Sequence, residues 1–385
     1  MPTAYKTPGV YRQDIFVRPR TQLPTGVPGF VGFFETLDPS KNDLFPVNVP
    51  IFLHRKEEFT NQFKALGFLQ DAVVGFFENG GTRCYVVRAD ATQSFVTSLS
   101  AAVEALAPMT DLDLVAVPDA VLTATPSEAE RQVAIQVQRL ALAHCARHGD
   151  RFAILDALPG STPDDVINQL DLLRIGQAEP LNGALYYPWI NNSNQALIPA
   201  AGHIAGIYAR SDRNRGVFKA PANEVIQDSL DLEIVMDNTM QDQLNPQGIN
   251  CLRSFPRRGI RVWGARTLSQ DPSWRYINVR RLVLTLGRWI DRNMNWATFE
   301  PNSPQLWVRI QRELNAYLRS LWQAGALKGA IPEQSFYVKC DGETNPVEVR
   351  EMGQVITEIG LAAIAPAEFL VVRLIHRPGN TEIDV

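Results

Sequence analysis

Apolar and polar residues alternate in blocks along this chain, and the spacing of the apolar positions changes from block to block. Apolar residues recur at helical spacing between Leu66 and Phe77, and Asn79, Gly80 and Gly81 follow them. Asparagine and glycine are typical of a helix C-terminus, and the β-branched and aromatic residues of TRCYVVRA then predict a strand. A phosphate-binding loop has the opposite order, with glycines leading into a helix. The glycine pair is therefore predicted to turn the chain.

The middle of the chain alternates short apolar runs with amphipathic stretches. LDLVAVPD (112–119), RFAILDALPG (151–160) and GALYYPWI (183–190) are short enough, and apolar enough, to be buried strands. Strands that alternate with helices predict a parallel sheet with helices on its faces.

Helix start and stop signals separate these strands. Ser127 and Glu130 form a capping box before RQVAIQVQRLALAHCARHG, which is predicted to end at Gly149. Thr162 and Asp165 cap the next helix, DDVINQLDLLRIG, and HIAGIYARSD is predicted as a short helix.

From Arg258 onward the pattern is typical of an α+β domain. One helix is predicted for INVRRLVLTLGRWIDRNM and a second from Pro304 to near Gly325. The predicted apolar stripe of the first contains Val279, Leu282, Val283, Leu286 and Ile290. SFYVKCD and AEFLVVRLIH are predicted strands, and RPGNTEIDV a polar tail.

Changes in residue composition and hydrophobic pattern divide the chain into five predicted segments. Residues 1–29 carry five prolines around the alternating piece GVYRQDIFV, which suits an extended arm. The predicted segments are an N-terminal arm (1–25), an N-terminal α+β region (26–98), an α/β domain (99–257), a C-terminal α+β domain (258–368) and a C-terminal strand and arm (369–385).

The composition of the chain argues against several classes of function. The 385 residues are 45% hydrophobic and 20% charged with a net charge of −4, so no overall charge favours nucleic acid or a membrane surface. Four cysteines without a CxxC pair predict reduced, mostly buried thiols in a protein made in the cytoplasm. The N-terminus has no apolar leader core and no later segment approaches the length of a membrane span, so direct membrane insertion is not expected.

Candidate chemistry is sparse. Asp119, Asp156 and Asn191 follow predicted strands, where ligands of doubly wound sheets bind. Two aspartates there could hold a metal or act as acid and base, but an aspartate after a strand is more often a turn former or helix cap. No metal, cofactor or catalytic residue is predicted.

A serine or cysteine nucleophile also lacks support. His144 and His148 lie one turn apart near a helix end, where a positive side chain suits the helix dipole. His54, His203 and His376 stand alone, and there is no GxSxG motif.

One basic run, RSFPRRGIRVWGAR, superficially resembles a nucleic-acid patch. Because the chain is acidic overall and arginine pairs well with carboxylates, structural pairing between subunits is the favoured interpretation. Its arginines are Arg253, Arg257, Arg258, Arg261 and Arg266.

Several stretches, taken together and in order, resemble one family: the sheath proteins of contractile phage tails and related contractile injection systems. They are TPGVY (7–11), GVPGFVG (26–32), FFENGGTRCYVVR (76–88), AGIYARSDRNRGVFKAPAN (205–223), LNPQGINCLRSFPRRGIRVWGARTLSQDPSWRYINVRRL (244–282), WATFEPN (296–302), FYVKCD (336–341) and PAEFLVVRL (366–374). Length and the C-terminal half resemble the extracellular, phage-tail-like systems more than the long phage sheaths.

The resemblance implies a fold and a function. The middle region would be a parallel-sheet sheath domain of subtilisin-like fold without a triad, joined to an α+β C-terminal domain with extended arms at both ends. The subunit would polymerise around an inner tube, with a baseplate, a terminal cap and sheath paralogues as further partners, and contract from a metastable state. It would act in a tail or tail-like particle that can be released from the cell, without nucleic acid or cofactor.

The resemblance also implies where subunits meet. Both arms would add strands to sheets of neighbouring C-terminal domains. The implied arm residues are Thr7, Pro8, Gly9, Val10, Tyr11, Ile15, Val17, Phe369, Val371, Arg373 and Ile375. Candidate lateral or tube contacts are Arg257, Arg258, Arg261, Arg309, Arg312, Glu313 and Arg319.

Two alternatives stay open at this point. One is a cytosolic α/β hydrolase or phosphatase that uses Asp119 and Asp156. The other is a sheath-like cap or baseplate component.

Overall fold

The structure, a computed structural model, describes residues 23–177, 179–368, 373–377 and 380–384, the last two segments as backbone. The predicted N-terminal arm positions from Thr7 to Val17, and Phe369 and Val371 of the C-terminal arm, lie outside the described residues.

Strands and helices are interspersed in the first half of the chain. The elements are β1 (Pro28–Gly32), β2 (Phe34–Thr36), β3 (Pro50–Leu53), α1 (Glu57–Thr60), β4 (Phe63–Ala65), α2 (Leu69–Glu78), β5 (Cys84–Arg88), α3 (Phe95–Glu104), β6 (Leu114–Ala116), α4 (Glu128–His148), β7 (Phe152–Asp156), α5 (Pro163–Arg174) and β8 (Gly183–Tyr187).

The second half adds two long helices and several short strands. Its elements are β9 (Ile190–Asn191), β10 (Leu197–Ile198), α6 (Ala201–Arg215), β11 (Asp231–Leu232), α7 (Asn238–Leu244), β12 (Ile249–Phe255), β13 (Gly259–Trp263), α8 (Ile277–Asn293), α9 (Pro304–Gln323), α10 (Pro332–Ser335), β14 (Phe336–Lys339), α11 (Val347–Glu351), β15 (Glu358–Leu361), β16 (Arg373–Arg377) and β17 (Asn380–Asp384).

A mostly parallel sheet of eight strands forms the centre of the molecule. Its strand order is β13-β12-β8-β7-β6-β1-β5-β3. The inner pairs are parallel, and the antiparallel β3 and β13 close the two edges. The predicted parallel α/β architecture is confirmed, and the sheet also includes β12 and β13, which carry the basic run.

Helices cover both faces of this sheet. One apolar core lies under α3, α4 and α5 and the other under α2 and α6, with part of α8. The predicted capping boxes at Ser127 and Thr162 are both formed, and Gly149 ends α4 with a positive φ of 66°. All four cysteines are buried and free, as predicted.

Helices α2 and α6 approach each other closely because α6 carries glycines at the contact. A Cβ at Gly202 would overlap the backbone of Ala72, and one at Gly206 would overlap the carbonyl of Phe76. Residues that follow α2 take the predicted C-terminal turn, with Gly80 at a φ of 100°. The glycine pair therefore turns the chain into β5, as the sequence predicted.

Helix α8 departs from its predicted pattern. Leu282 and Leu286 are buried, but Val279, Val283 and Ile290 are only partly covered. The buried surface of α8 also includes three polar residues, Asn278, Arg281 and Arg288, beside the apolar Ile277, Leu284 and Trp289. The stripe prediction is wrong in part because α8 lies between the α/β body and α9, and polar groups face the body.

The C-terminal part packs as a smaller unit. Helices α8 and α9 enclose two apolar clusters with residues of β14 and β15, and the stacked rings of Trp289 and Tyr317 lie 4.0 Å apart. Strands β16 and β17 form an antiparallel hairpin, so the predicted polar tail is wrong for residues 380–384. Among the described helices, none combines the length and apolar character needed to span a bilayer.

Two helical glycines provide a matched test of this packing. Gly202→Ala should lower the free energy of unfolding by about 1–3 kcal/mol, because its Cβ meets backbone that cannot rotate away. Gly287→Ala, in α8, should be neutral or stabilise by up to about 1 kcal/mol, because no atom of the described residues lies within 4 Å of the added Cβ. Urea denaturation of the soluble subunit measures both, and equal effects would contradict the close α2–α6 approach.

Candidate functional site

A buried cluster of charges joins the α/β body to the C-terminal helices. Arg281 of α8 donates to both carboxylate oxygens of Asp212, at the end of α6, at 2.9 and 2.6 Å. It also donates to Asp113, just before β6, at 3.0 Å. Arg281 is 3% exposed. Burial acts to lower the pKa of Arg281, but Asp212 and Asp113 raise it above its ordinary value, so the guanidinium stays charged.

The same cluster fixes the point where the N-terminal segment enters the body. Asp113 accepts hydrogen bonds from the backbone N–H groups of Gly26 and Val27 at 3.1 and 2.7 Å. Gly26 has a φ of 69°, and a Cβ there would lie 2.5 Å from Cα of Ala209. Glycine is therefore required for the chain to leave the body at this angle.

Neighbouring side chains complete the cluster. The Arg281 guanidinium lies 4.8 Å from the ring centre of Tyr208, whose hydroxyl lies 2.7 Å from that of Tyr186. Arg288 lies two helical turns after Arg281 on α8. It donates to the carbonyl of Asp111 at 3.1 Å, and its Nη1 lies 3.9 Å from a carboxylate oxygen of Asp113. Two arginines of α8 thus contact the residues that lead into the amino end of β6.

A second ion pair holds the chain where the C-terminal segment leaves the body. Arg266 donates to Glu368 through Nε at 3.0 Å and Nη2 at 2.6 Å, and to the carbonyl of Asn245 at 3.0 Å. The hydrogen bonds to Glu368 raise the pKa of Arg266. This bidentate pair lies within one subunit, so the prediction of pairing between subunits is wrong for Arg266.

The other arginines of the basic run lie on the β12–β13 hairpin. Arg257 and Arg258 occupy its exposed tip, Arg257 with a φ of 61°. Arg261 donates to the Asn223 carbonyl at 2.7 Å, and Arg253 donates to Asn238 at 2.9 Å. Arg257 and Arg258 at the hairpin tip are therefore accessible to a partner, whereas Arg253 and Arg261 form hydrogen bonds within their own subunit.

The candidate contact residues of α9 fall into two groups. Arg309, Arg312 and Arg319 are exposed, whereas Glu313 is half-buried. Arg309 and Glu313 also contact Trp296: the guanidinium lies 3.7 Å from the indole centre, and the carboxylate accepts the indole N–H at 3.2 Å.

A groove of about 1000 Å³ lies beside these helices. Leu23 and Thr25 line one part of it, and side chains of α8 and α9 line the rest, including Trp289, Arg312 and Tyr317. The N-terminal segment therefore reaches the described body on the side of the C-terminal helices.

Asp119 and Asp156 have structural roles. Asp119 accepts N–H groups of Phe33 and Phe68 at 2.7 and 2.6 Å, and Asp156 accepts the N–H of Ala201 at the start of α6. Burial raises the pKa of each carboxyl to about 7, although these N–H donors oppose the shift. The turn-and-cap interpretation fits both residues. Asn191 lies within β9, paired with β10 and β11, and not at the end of β8 as predicted.

The histidine pair does not act as predicted. Burial lowers the pKa of His144 to about 4, so the ring is neutral and its predicted interaction with the helix dipole is wrong. Glu104, His144 and His148 bring ligand atoms within 4.8 Å of one another. However, Arg147 binds both oxygens of Glu104, and Arg151 lies 3.1 Å from Nε2 of His144, so two cations already occupy the surroundings of this cluster.

Sequence reasoning missed the charge cluster and the Arg266–Glu368 pair. Arg281 directly precedes the apolar run Leu282–Leu284, but its partners Asp212 and Asp113 lie 69 and 168 residues away. A helical wheel that places Asn278, Arg281 and Arg288 on one face was the available signal.

Known proteins resemble this chain along most of its length. The family model for the phage tail sheath protein central domain matches residues 98–268, and the model for the phage tail sheath C-terminal domain matches residues 269–375. The tail sheath protein of Escherichia phage P2 is 26% identical over 187 residues, which are 47% of this chain and 45% of that protein. The chain spans less than half the length of the curated relatives it matches.

Solved structures extend the likeness to the whole chain. A chain of the anti-feeding prophage baseplate is 31% identical with a TM-score of 0.76, covering 97% of this chain and 100% of that one. A chain of the contracted anti-feeding prophage helical sheath is 29% identical with a TM-score of 0.75 and the same coverage.

Replacing the buried Arg281 should destabilise the subunit much more than replacing an exposed arginine. Arg281→Met leaves the carboxylates of Asp113 and Asp212 buried without the cation that they share, and the free energy of unfolding should fall by about 3–5 kcal/mol. The exposed Arg312→Met should change it by no more than about 0.5 kcal/mol. Urea denaturation measures both variants, and an Arg281→Met subunit as stable as Arg312→Met would rule out the anchoring role.

The buried aspartates predict a pH dependence of stability. Between the ordinary pKa of aspartate and about 7, the folded state keeps protons that the unfolded state has released, so their contribution to stability falls as the pH rises. Asp156→Asn should therefore show a smaller loss of unfolding free energy between pH 5 and pH 7.5 than the parent chain. The exposed Asp242→Asn is the control and should follow the parent; a matching slope in Asp156→Asn would refute the assignment.

Proposed function

Because this chain belongs to the phage tail sheath family, we propose that it is a structural subunit of a contractile sheath that surrounds an inner tube. Contraction from a metastable extended state would drive that tube into a target. The observation that carries the proposal is the likeness over 97% of the chain to a subunit of the contracted anti-feeding prophage sheath. The parallel-sheet body then corresponds to the sheath domain of subtilisin-like fold, and α8 to β15 to the C-terminal domain.

The β14–β15 ribbon is the proposed acceptor for the arms of neighbouring subunits. Within the described residues these two strands pair only with each other, at Phe336–Lys339 and Glu358–Leu361. A two-stranded ribbon is marginally stable alone, and its outer edges present unpaired backbone groups. Added strands would complete a sheet over the apolar clusters of α8 and α9.

Magnitudes explain why both arms would be used. A strand of five residues gains about five hydrogen bonds at roughly 1 kcal/mol each. Association costs roughly 4–15 kcal/mol, so one arm is marginal. Once the lattice holds a subunit by one arm, the second binds at high effective concentration.

The two anchors suit subunits that rotate while they stay linked. Tension on the N-terminal segment would reach Asp113 through Gly26 and Val27, and tension on the C-terminal segment would reach Arg266 through Glu368. Both anchors are buried or half-buried ion pairs, which hold better than exposed ones. The arms would therefore bend outside the body.

Partners follow from this role. The sheath polymer itself, the inner tube, the baseplate, a terminal cap and sheath paralogues are the proposed partners. Arg257, Arg258, Arg309, Arg312 and Arg319 remain proposed lateral or tube contacts because they are exposed. The subunit is proposed to be made in the cytoplasm, to act without catalysis, and to leave the cell only as part of a particle.

A second candidate is a sheath-like component of the baseplate. The likeness to a chain of the anti-feeding prophage baseplate favours it. Electron microscopy of the protein expressed with its tube and baseplate partners distinguishes the two, since a sheath gives long striated tubes and a baseplate component gives a single ring.

Arm truncation tests the proposed linkage. Deleting residues 1–17 should abolish long tubes, because the subunit loses one of two strand additions, while the folded body and its unfolding midpoint are kept. Deleting residues 1–5, which leaves TPGVY in place, is the matched control and should assemble. Long tubes from the 1–17 deletion would refute the arm mechanism.

A further inference from the structure

The loop between α8 and α9 presents an aromatic side chain to solvent. Phe299 is fully exposed, and its φ is 66°. An aromatic residue rarely adopts this left-handed conformation because it strains the backbone. An exposed phenyl ring gains no burial energy that could offset this strain. Within the described residues, no contact explains an aromatic side chain at this position.

The loop around Phe299 is held rigidly on both sides. Before it, Trp296 is held by Glu313 at 3.2 Å and lies under the guanidinium of Arg309 at 3.7 Å. After it, Asn302 donates to the Gln354 carbonyl at 2.8 Å and accepts the indole N–H of Trp307 at 2.8 Å.

Residues of the motif WATFEPN (296–302) therefore have two different roles in this loop. Trp296 and Asn302 fix the loop, and Phe299 at its tip is displayed. A preorganised aromatic residue binds with little loss of conformational entropy, which is the property of interface hot spots.

A pocket elsewhere on the same chain has matching chemistry. It has a volume of about 310 Å³ and lies between α3, the turn after β6 and the start of α4. Its lining is mostly apolar and includes Phe95, Leu122, Pro126 and Val133, with Glu130 as a charged member. Arg309 beside the loop and Glu130 in the pocket have opposite charge, so the two surfaces are complementary in both apolar and charged groups.

We propose that Phe299 of one subunit inserts into this apolar pocket of a second copy of the chain. A projecting residue and a pocket at different places on one chain make a heterologous contact, which propagates into a helix when it does not close into a ring. The contact goes beyond the arm exchange and rests on the proposed function, because it needs a polymer of this chain.

Substitutions at the tip separate assembly from folding. Phe299→Ala should raise the concentration needed for polymerisation at least tenfold, whereas Leu230→Ala, which removes another exposed apolar side chain, should leave it unchanged. Phe299→Gly should raise the unfolding midpoint of the subunit, since glycine accepts the positive φ, and still weaken assembly. Assembly of Phe299→Ala at the parent concentration would overturn the proposal.

Cross-linking tests the partner site directly. A chain with Phe299→Cys and Ala129→Cys, at the exposed rim of the pocket, should form disulfide-linked ladders in the polymer. The pair Leu230→Cys and Ala129→Cys should not, and the four native cysteines are buried. Absence of ladders from the first pair in intact tubes would overturn the pocket assignment.

Two further outcomes identify where the account fails. If Phe299→Ala forms normal sheaths that no longer retain the inner tube, the tube is the partner and the proposal is wrong. If the parent chain forms no tubes with its partners, the proposed function itself fails, whatever Phe299 does.

Discussion

The guanidinium of Arg281 lies between two carboxylates that belong to different parts of the subunit. Asp113 lies at the amino end of the central strand β6 and Asp212 at the end of α6, while Arg281 itself belongs to α8. Since a charged group is costly to bury alone, the three must come together as the chain folds. Asp113 also binds the backbone at Gly26 and Val27. One cluster thus fixes both the C-terminal helices and the start of the N-terminal segment.

This cluster explains how a subunit could move without deforming. The body is held by apolar cores on both faces of the sheet and by the buried ion pairs, whereas the proposed connections between subunits use terminal segments beyond those pairs. Arg266 and Glu368 form a similar ion pair where the C-terminal segment leaves the body. A contraction that changes the angles between subunits would then be absorbed outside the body, as hinge motions at element ends usually are.

Local patterns predicted the parts of the fold that local physics determines. The capping boxes at Ser127 and Thr162, the glycine turn after α2 and the order of strands and helices all depend on neighbours a few residues apart. Residues with distant partners were not predictable in this way: Asn278, Arg281 and Arg288 interrupt the expected stripe of α8 because their partners come from the α/β body. The sequence around Arg266 likewise gives no sign of its pairing within the subunit, because Glu368 is 102 residues away. The terminal arm positions from Thr7 to Val17 stay predictions, as do the segment boundaries.

The distance between the α/β body and the C-terminal helices in the two states of the sheath tests the central claim most directly. Spin labels at Gln136 on α4 and Gln305 on α9, both exposed, would report it within one labelled subunit diluted into unlabelled sheath. The account predicts the same distance distribution before and after contraction, because Arg281 keeps α8 on the body. A shift of the whole distribution on contraction would contradict it and place the hinge inside the subunit.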